Sequence, residues 1–195
     1  MKKRIFVVHG WGGNPNEKIH IWLKRALLKN KDIEVISPSM PETNNPKIIS
    51  WVNYLSQQVG KCDENTFFFG HSIGCQAIMR YFESLENGEK AGGAVFLSGW
   101  FNLDNMESKE EENIAKSWIE TPINFEKIKK VCNKFEVIIS DDEPYGYVEE
   151  NSNKFRKELN ANITIEHGKG HFTKGEGVTQ IPEVLNKINK IIDNL

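Results

Sequence analysis

The chain has 195 residues, a formal net charge of -2 (25 Lys and Arg against 27 Asp and Glu) and 38% apolar residues. A balance so close to neutral carries no electrostatic footprint for nucleic acid or for an anionic membrane surface, and 10% aromatic content with frequent apolar runs excludes a disordered chain. The length suits a single domain over residues 1–195, able to bury roughly 70% of its unfolded surface without disulfide or metal staples.

The first apolar run, Ile5 to Val8, is far below the ~20 residues of a spanning helix and too short for a secretory core, so the basic Met1-Lys2-Lys3-Arg4 prefix reads as a strand lead-in. A cytoplasmic location is expected, and Cys62, Cys75 and Cys132, widely spaced and odd in number, fit reduced thiols. Further strands are predicted at Ile33–Ile36, Thr66–Phe69, Ala94–Leu97, Phe135–Ile139 and Ile163–Ile165, continuously apolar as strands covered on both faces are. Between them lie helical patterns. Residues 19–29 place Ile19, Trp22, Leu23, Ala26 and Leu27 on one stripe, with His20 expected to be exposed at the helix start. Pro46 can open the next helix, its apolar face formed by Ile48, Val52, Leu55 and Val59; another helix follows Pro182, with Val184, Leu185, Ile188, Ile191 and Ile192 turned inward. The acidic run Glu107–Glu112 reads as a solvated loop or helix start, and periodicity from Ile114 to Trp118 is weak, in a place where a small flap could lie. Strand–helix alternation of this kind predicts an α/β three-layer sandwich on a mainly parallel sheet of about six strands.

The segment that carries chemistry is Thr66-Phe-Phe-Phe-Gly70-His71-Ser72-Ile73-Gly74, a strand ending in G-x-S-x-G and running into a helical pattern. Glycines two residues either side of the serine let strand and helix pass closely while the turn holds Oγ clear of the sheet. A neutral hydroxyl is a weak nucleophile, so a base and an orienting carboxylate are required. His71 adjoins the serine and is read as a packing or hydrogen-bonding residue. His171 lies in the Gly168-Lys-Gly170-His171-Phe172 loop after the last strand, with Gly170 to bend the loop and Phe172 to pack beneath it. A zinc pair at His167 and His171 would need a helix that two glycines oppose, and no metal or cofactor is expected. The acid belongs after the fifth strand, where Asp141-Asp142-Glu143 precedes Pro144, and spacing alone leaves the choice open. The exit of the first strand, His9-Gly10-Trp11-Gly12-Gly13, offers the Trp11 amide to pair with that of Ile73 as an oxyanion hole. It lacks the spacings of a phosphate-binding glycine loop.

Taken together, Val8-His9-Gly10-Trp11, Met40-Pro41 with Trp51, Gly70-His71-Ser72-Ile73-Gly74, Leu97-Ser98-Gly99, Trp118, Ser140 to Tyr145 and Gly170-His171-Phe172 resemble the α/β-hydrolases, and more narrowly the small serine hydrolases of the retinoblastoma-binding protein 9 family. The resemblance spans nearly the whole chain and implies Ser72 as nucleophile and His171 as base. The family's usual Asp before the proline is Glu143 here, which leaves Glu143 and Asp142 as the two candidates for the acid. The implied activity is cleavage of a small ester, thioester or amide through an acyl-enzyme, with carboxylesterase the most economical form. Trp11, Trp100, Phe101 and Trp118 are candidate walls of an acyl pocket. A rival of another class is a non-catalytic module binding a protein partner on the same scaffold, since the family's name records partner binding; a peptidase of small substrates is a second. About twenty residues between Gly99 and Pro122 leave no room for a large lid domain, so a shallow, open site is expected.

Overall fold

The computed structural model describes residues 2–193, which leaves Met1 of the basic prefix outside. Its elements in chain order are β1 (Lys3–Val8), α1 (Lys18–Leu27), β2 (Ile33–Ile36), α2 (Ile48–Val59), β3 (Thr66–His71), α3 (Ile73–Ser84), β4 (Gly93–Leu97), α4 (Lys109–Glu120), α5 (Phe125–Val131), β5 (Phe135–Ser140), α6 (Val148–Leu159), β6 (Asn162–Glu166) and α7 (Pro182–Asp193), with a 3-10 turn at Lys174–Glu176 before α7. The strands form one parallel sheet in the order β2-β1-β3-β4-β5-β6. Period-two alternation divides the core. Phe6, Val8, Phe68, Phe96, Val137 and Ile139 face the layer that holds α2, α3 and α6, whereas Ile5, Val7, Phe67, Phe69, Val95, Leu97 and Ile138 face α1 and α7. Covering of both faces is the physical reason that the central strands β1, β3, β4 and β5 read as apolar runs, whereas the edge strands are partly open: β6 is half-buried with Ile165 exposed, contrary to the expectation for Ile163–Ile165, and Glu34 of β2 is exposed.

Two helical faces differ from the sequence expectation. In α2 the buried residues are Trp51, Leu55 and Val59, so Trp51 takes the place expected of Val52 and the stripe is rotated by one residue. The wide indole wins because it fills the space between His9 and Trp118 and its Nε1–H donates to Pro41 O at 2.8 Å. Pro46 lies just before the helix, buried, its carbonyl accepting from Trp118 Nε1 at 2.9 Å. His20 is 1% exposed, contrary to expectation, because it follows Ile19 onto the inner side of α1 and packs edge-on against Phe69.

The direction of winding changes between β1 and β3, whose following helices cover opposite faces. The carboxyl ends of these neighbours therefore open a crevice, the place where open α/β sheets bind ligands. Between β4 and β5 the acidic run begins α4: Ser108 Oγ accepts from Glu111 N, and Glu110, Glu111 and Glu112 occupy the first turn, where the helix dipole favours negative charge. At the other end, the buried Arg80 guanidinium donates to Trp118 O, Thr121 O and Pro122 O, satisfying carbonyls that a helix end leaves open.

Candidate active site

Ser72 sits between β3 and α3 at φ +55°, a left-handed value that a non-glycine residue adopts only when its surroundings impose it. Those surroundings are backbone. A Cβ on Gly74 would lie 2.6 Å from Val8 O and 2.8 Å from His9 O, and one on Gly70 would lie 2.8 Å from Cys75 N. The two glycines thus let α3 start directly against β1 and β3, and the serine is pushed out at the crevice. It is 8% exposed.

The β1 exit loop approaches from the other side: a Cβ on Gly10 would come within 3.4 Å of Ser72 Cβ. His9 anchors this loop, with Nδ1 2.8 Å from Gly10 O and Nε2 accepting from Met40 N at 3.0 Å, which fixes the proton on Nδ1. Gly12 N donates to Thr43 O and Trp11 Nε1 to Asn44 O, so residues 40–44 set the position of Trp11. The amides of Trp11 and Ile73 have no acceptor among the described residues.

His171 stands opposite. Its Nδ1 is 2.7 Å from Glu143 Oε1, and the two side chains are only 12% and 7% exposed. The other carboxylate oxygen accepts from Ser98 Oγ at 2.8 Å. Asp142, the other candidate acid, turns the opposite way: its Oδ1 accepts from Ser140 Oγ at 2.5 Å and Gly170 N at 2.7 Å, bonds that hold its carboxyl below the usual range. Asp141 meets His167 Nδ1 at 2.6 Å and Gly168 N at 3.0 Å. Residues 167–172 are not helical, and His167 and His171 have separate carboxylate partners. The loop is further clamped by Glu176, which accepts from the amides of His171 and Thr173, and by buried Phe172.

Ser72 Oγ accepts a hydrogen bond from Trp100 Nε1 at 3.3 Å and forms none with His171. Trp100 is held in turn by Gln76, whose amide donates to its carbonyl at 2.8 Å, while Asn151 binds the amides of Phe101 and Asn102. His71 Nε2 donates to the His171 carbonyl at 2.9 Å, and burial, with His171 and His20 close by, drives its pKa well below the ordinary histidine value. Desolvation pushes His20 down to about 4. Ser98, Gln76, Glu176 and the seat that His71 gives His171 have no signal of their own in the sequence beyond the Leu97-Ser98-Gly99 string.

Ser72, His171, Trp11 and Trp100 share the wall of one cavity of about 760 Å³. Leu103, Met106, Ser108, Glu110, Glu111 and Ile114 line one side of it, so the residues before and in the first half of α4 form a wall of the site. Two of the expected acyl-pocket residues are elsewhere. Trp118 is fully buried against Trp51 and Arg80, and Phe101 packs on Phe125 and Phe155; neither reaches the cavity. Tyr145, edge-on to the His171 ring at 4.9 Å, lines it instead.

A parallel sheet with a strained serine at its switch point and a histidine loop after its last strand defines an α/β-hydrolase. The family model described as serine hydrolase matches residues 5–190, and the chain belongs to that family. The Bacillus subtilis protein YdeN is 28% identical over 189 residues, covering 94% of this chain and 93% of that protein. Its crystal structure superposes with a TM-score of 0.87 over 98% of this chain and all of that one. The serine hydrolase RBBP9 of Rattus norvegicus is 24% identical over 168 residues, 86% of this chain and 81% of the relative. A structure from a study of carboxylesterases of the thaumarchaeon Nitrososphaera gargenis shares the fold, with a TM-score of 0.69, 12% identity and coverage of 100% and 92%. Among the described residues no helix is long and apolar enough to cross a membrane.

Proposed function

We propose that the protein is a carboxylesterase working through a Ser72–His171–Glu143 triad. The observation that carries this reading is the placement, in one cavity, of a serine on a strained strand-to-helix turn and a histidine whose distal nitrogen meets a buried carboxylate at 2.7 Å. Glu143 keeps the proton on His171 Nδ1, leaving Nε2 as the basic nitrogen. When an ester enters, Ser72 Oγ turns from Trp100 toward His171, gives its proton to Nε2 and bonds to the carbonyl carbon. The free amides of Trp11 and Ile73 receive the developing oxyanion, and each such donor contributes roughly 3 to 4 kcal/mol to the transition state. His171 then protonates the departing alcohol. Water attacks the acyl-Ser72 ester by the same route in reverse, regenerating the hydroxyl and releasing the acid.

Trp11, Trp100, Leu103, Met106 and Ile114 make the cavity wall largely apolar, which suits an acyl chain or aromatic ring of a small ester. Fluorophosphonate labelling followed by peptide mass spectrometry tests the assignment: Ser72 should carry the phosphonyl group, and Ser72→Ala should lose both label and hydrolysis of nitrophenyl acetate. Retention of full activity by Ser72→Ala would overturn it.

A further inference from the structure

Behind the nucleophile lies a second group of ligating atoms that the hydrolytic steps do not use. His20 and His71 are 1% and 4% exposed, with ring centres 6.2 Å apart in an edge-on arrangement. Glu17 joins them from the start of α1: one ligand atom from each of Glu17, His20 and His71 lies within 4.8 Å of the other two. Glu17 and His20 are three residues apart at the head of a helix, a spacing that brings both side chains to one side.

Hydrogen bonding fixes which atoms are available. His71 Nε2 faces a carbonyl, which can only accept, so the proton is on Nε2 and Nδ1 holds a lone pair; that Nδ1 is buried and has no partner. His20 Nδ1 lies 3.2 Å from Asn14 O, which likewise places its proton there and leaves Nε2 as a buried lone pair with no donor. On its Nδ1 side His20 is 3.5 Å from Glu17 Oε2, which keeps the carboxylate against the imidazole. Two desolvated, unpaired imidazole nitrogens in one cluster are unusual in a folded protein and ask for an electron-pair acceptor. The carboxylate beside them supplies the negative charge that a cation needs. The Glu17 side chain is 33% exposed, and Asn14 N donates to its Oε1 at 3.1 Å, which leaves Oε2 turned toward His20. Gly13 keeps the space open, since a Cβ there would stand 2.6 Å from Glu17 Oε1.

We propose that Glu17, His20 and His71 bind a divalent transition-metal ion. Two imidazoles and one carboxylate suit Zn²⁺ or Co²⁺, whereas Mg²⁺ and Ca²⁺ demand a shell of oxygens. Donors around a tetrahedral ion with bonds of ~2.0–2.1 Å stand about 3.3 Å apart, so atoms that lie within 4.8 Å of one another must draw together on loading. Because Glu17 and His71 also line the substrate cavity, the remaining coordination position opens toward it. The site shares His71 with the link that seats His171, so metal occupancy and the histidine loop are coupled through one imidazole.

The test is titration of chelator-treated, tag-free protein with Co²⁺, read by its visible d–d absorption, and with Zn²⁺, read by calorimetry. Neither readout depends on the hydrolase assignment. One equivalent should bind. Glu17→Gln, which retains an acceptor for Asn14 N, should weaken binding at least tenfold, and His20→Gln should abolish it, whereas His167→Ala, at an exposed histidine outside the cluster with its own carboxylate partner in Asp141, should leave it unchanged. Thermal melting of each variant confirms folding, and Glu17→Gln suffices if His20→Gln does not fold. Absence of stoichiometric binding at about 100 µM metal overturns the proposal. So does binding that survives Glu17→Gln or is lost with His167→Ala, or a crystal soaked in Zn²⁺ that shows only water between the imidazoles.

Discussion

Replacing Glu143 by glutamine changes one atom in a side chain that is 7% exposed and leaves its volume intact, so what it removes is charge. In the proposed acylation step His171 becomes an imidazolium whose Nδ1 lies 2.7 Å from Glu143 Oε1. At an effective dielectric constant of ~20, an ion pair at that separation is worth about 6 kcal/mol. That attraction exists only once the proton has moved, so it acts on the transition state and not on substrate binding. The amide has a second effect: if its NH2 faces His171, Nδ1 must accept and Nε2 carries the proton, the wrong tautomer for a base. At ~1.4 kcal/mol per decade, the expected loss is about 10⁴ in kcat with KM little changed. Asp142→Asn is the paired control. Its Oδ1 can still accept from Gly170 N and Ser140 Oγ, so kcat should fall by less than about tenfold. Both variants are compared with wild type in steady-state hydrolysis of nitrophenyl acetate and in the rate of fluorophosphonate labelling. The reasoning fails if Asp142→Asn shows the 10⁴-fold loss while Glu143→Gln remains active.

Three further outcomes follow from the packing. Gly74→Ala must push a methyl against Val8 O and His9 O, backbone atoms that cannot step aside, so urea unfolding should show a loss of about 3 kcal/mol; an unchanged midpoint would mean that the helix start is not pressed against β1. Trp118→Phe removes the bond to Pro46 O and part of the core between Trp51 and Arg80, costing about 2 kcal/mol without altering acyl-chain preference, whereas Trp100→Ala should alter it. A change of chain preference in Trp118→Phe would return that residue to the pocket. Glu136 is almost fully buried in β5; burial raises its pKa, but bonds from Lys190, Lys187 and Asn162 outweigh it and the net shift is downward. A lowered carboxyl pKa stabilises the fold above the unfolded value of ~4.3, and that contribution is lost as pH falls through the folded value. Glu136→Gln should therefore cost about 2 kcal/mol at pH 7 and progressively less as the pH falls below the unfolded value of ~4.3 toward the folded one, measured by urea melts; a cost that does not shrink with falling pH would contradict the assignment.

The strands were legible because parallel strands with helices on both faces must be apolar throughout, and the elbow was legible because only glycine tolerates backbone oxygens at 2.6 to 2.8 Å from its α-carbon substituent. What the sequence could not show was direction. A histidine at a helix start reads as exposed, yet His20 turns inward beneath Phe69, and a helical stripe drawn one residue out of phase exchanges Trp51 for Val52. Aromatics that follow a strand read alike whether they line a cavity, as Trp100 does, or fill the core, as Phe101 does. Composition carries no information on which way a ring faces.

The acidic turn is the sharpest instance. Asp141, Asp142 and Glu143 were indistinguishable by spacing, because each lies within one turn of the strand end. In the fold they pair in order with the histidine loop: Asp141 with His167 and Gly168, Asp142 with Gly170, Glu143 with His171. The first two grip the loop largely through its backbone amides and so set its register. The third, longest and most buried, reaches the imidazole. Three adjacent carboxylates repel one another, and the fold tolerates them because each faces its own donors. Glu143 therefore turns one oxygen to the imidazole and the other to the Ser98 hydroxyl that fixes it, since its neighbours already hold the loop that carries His171.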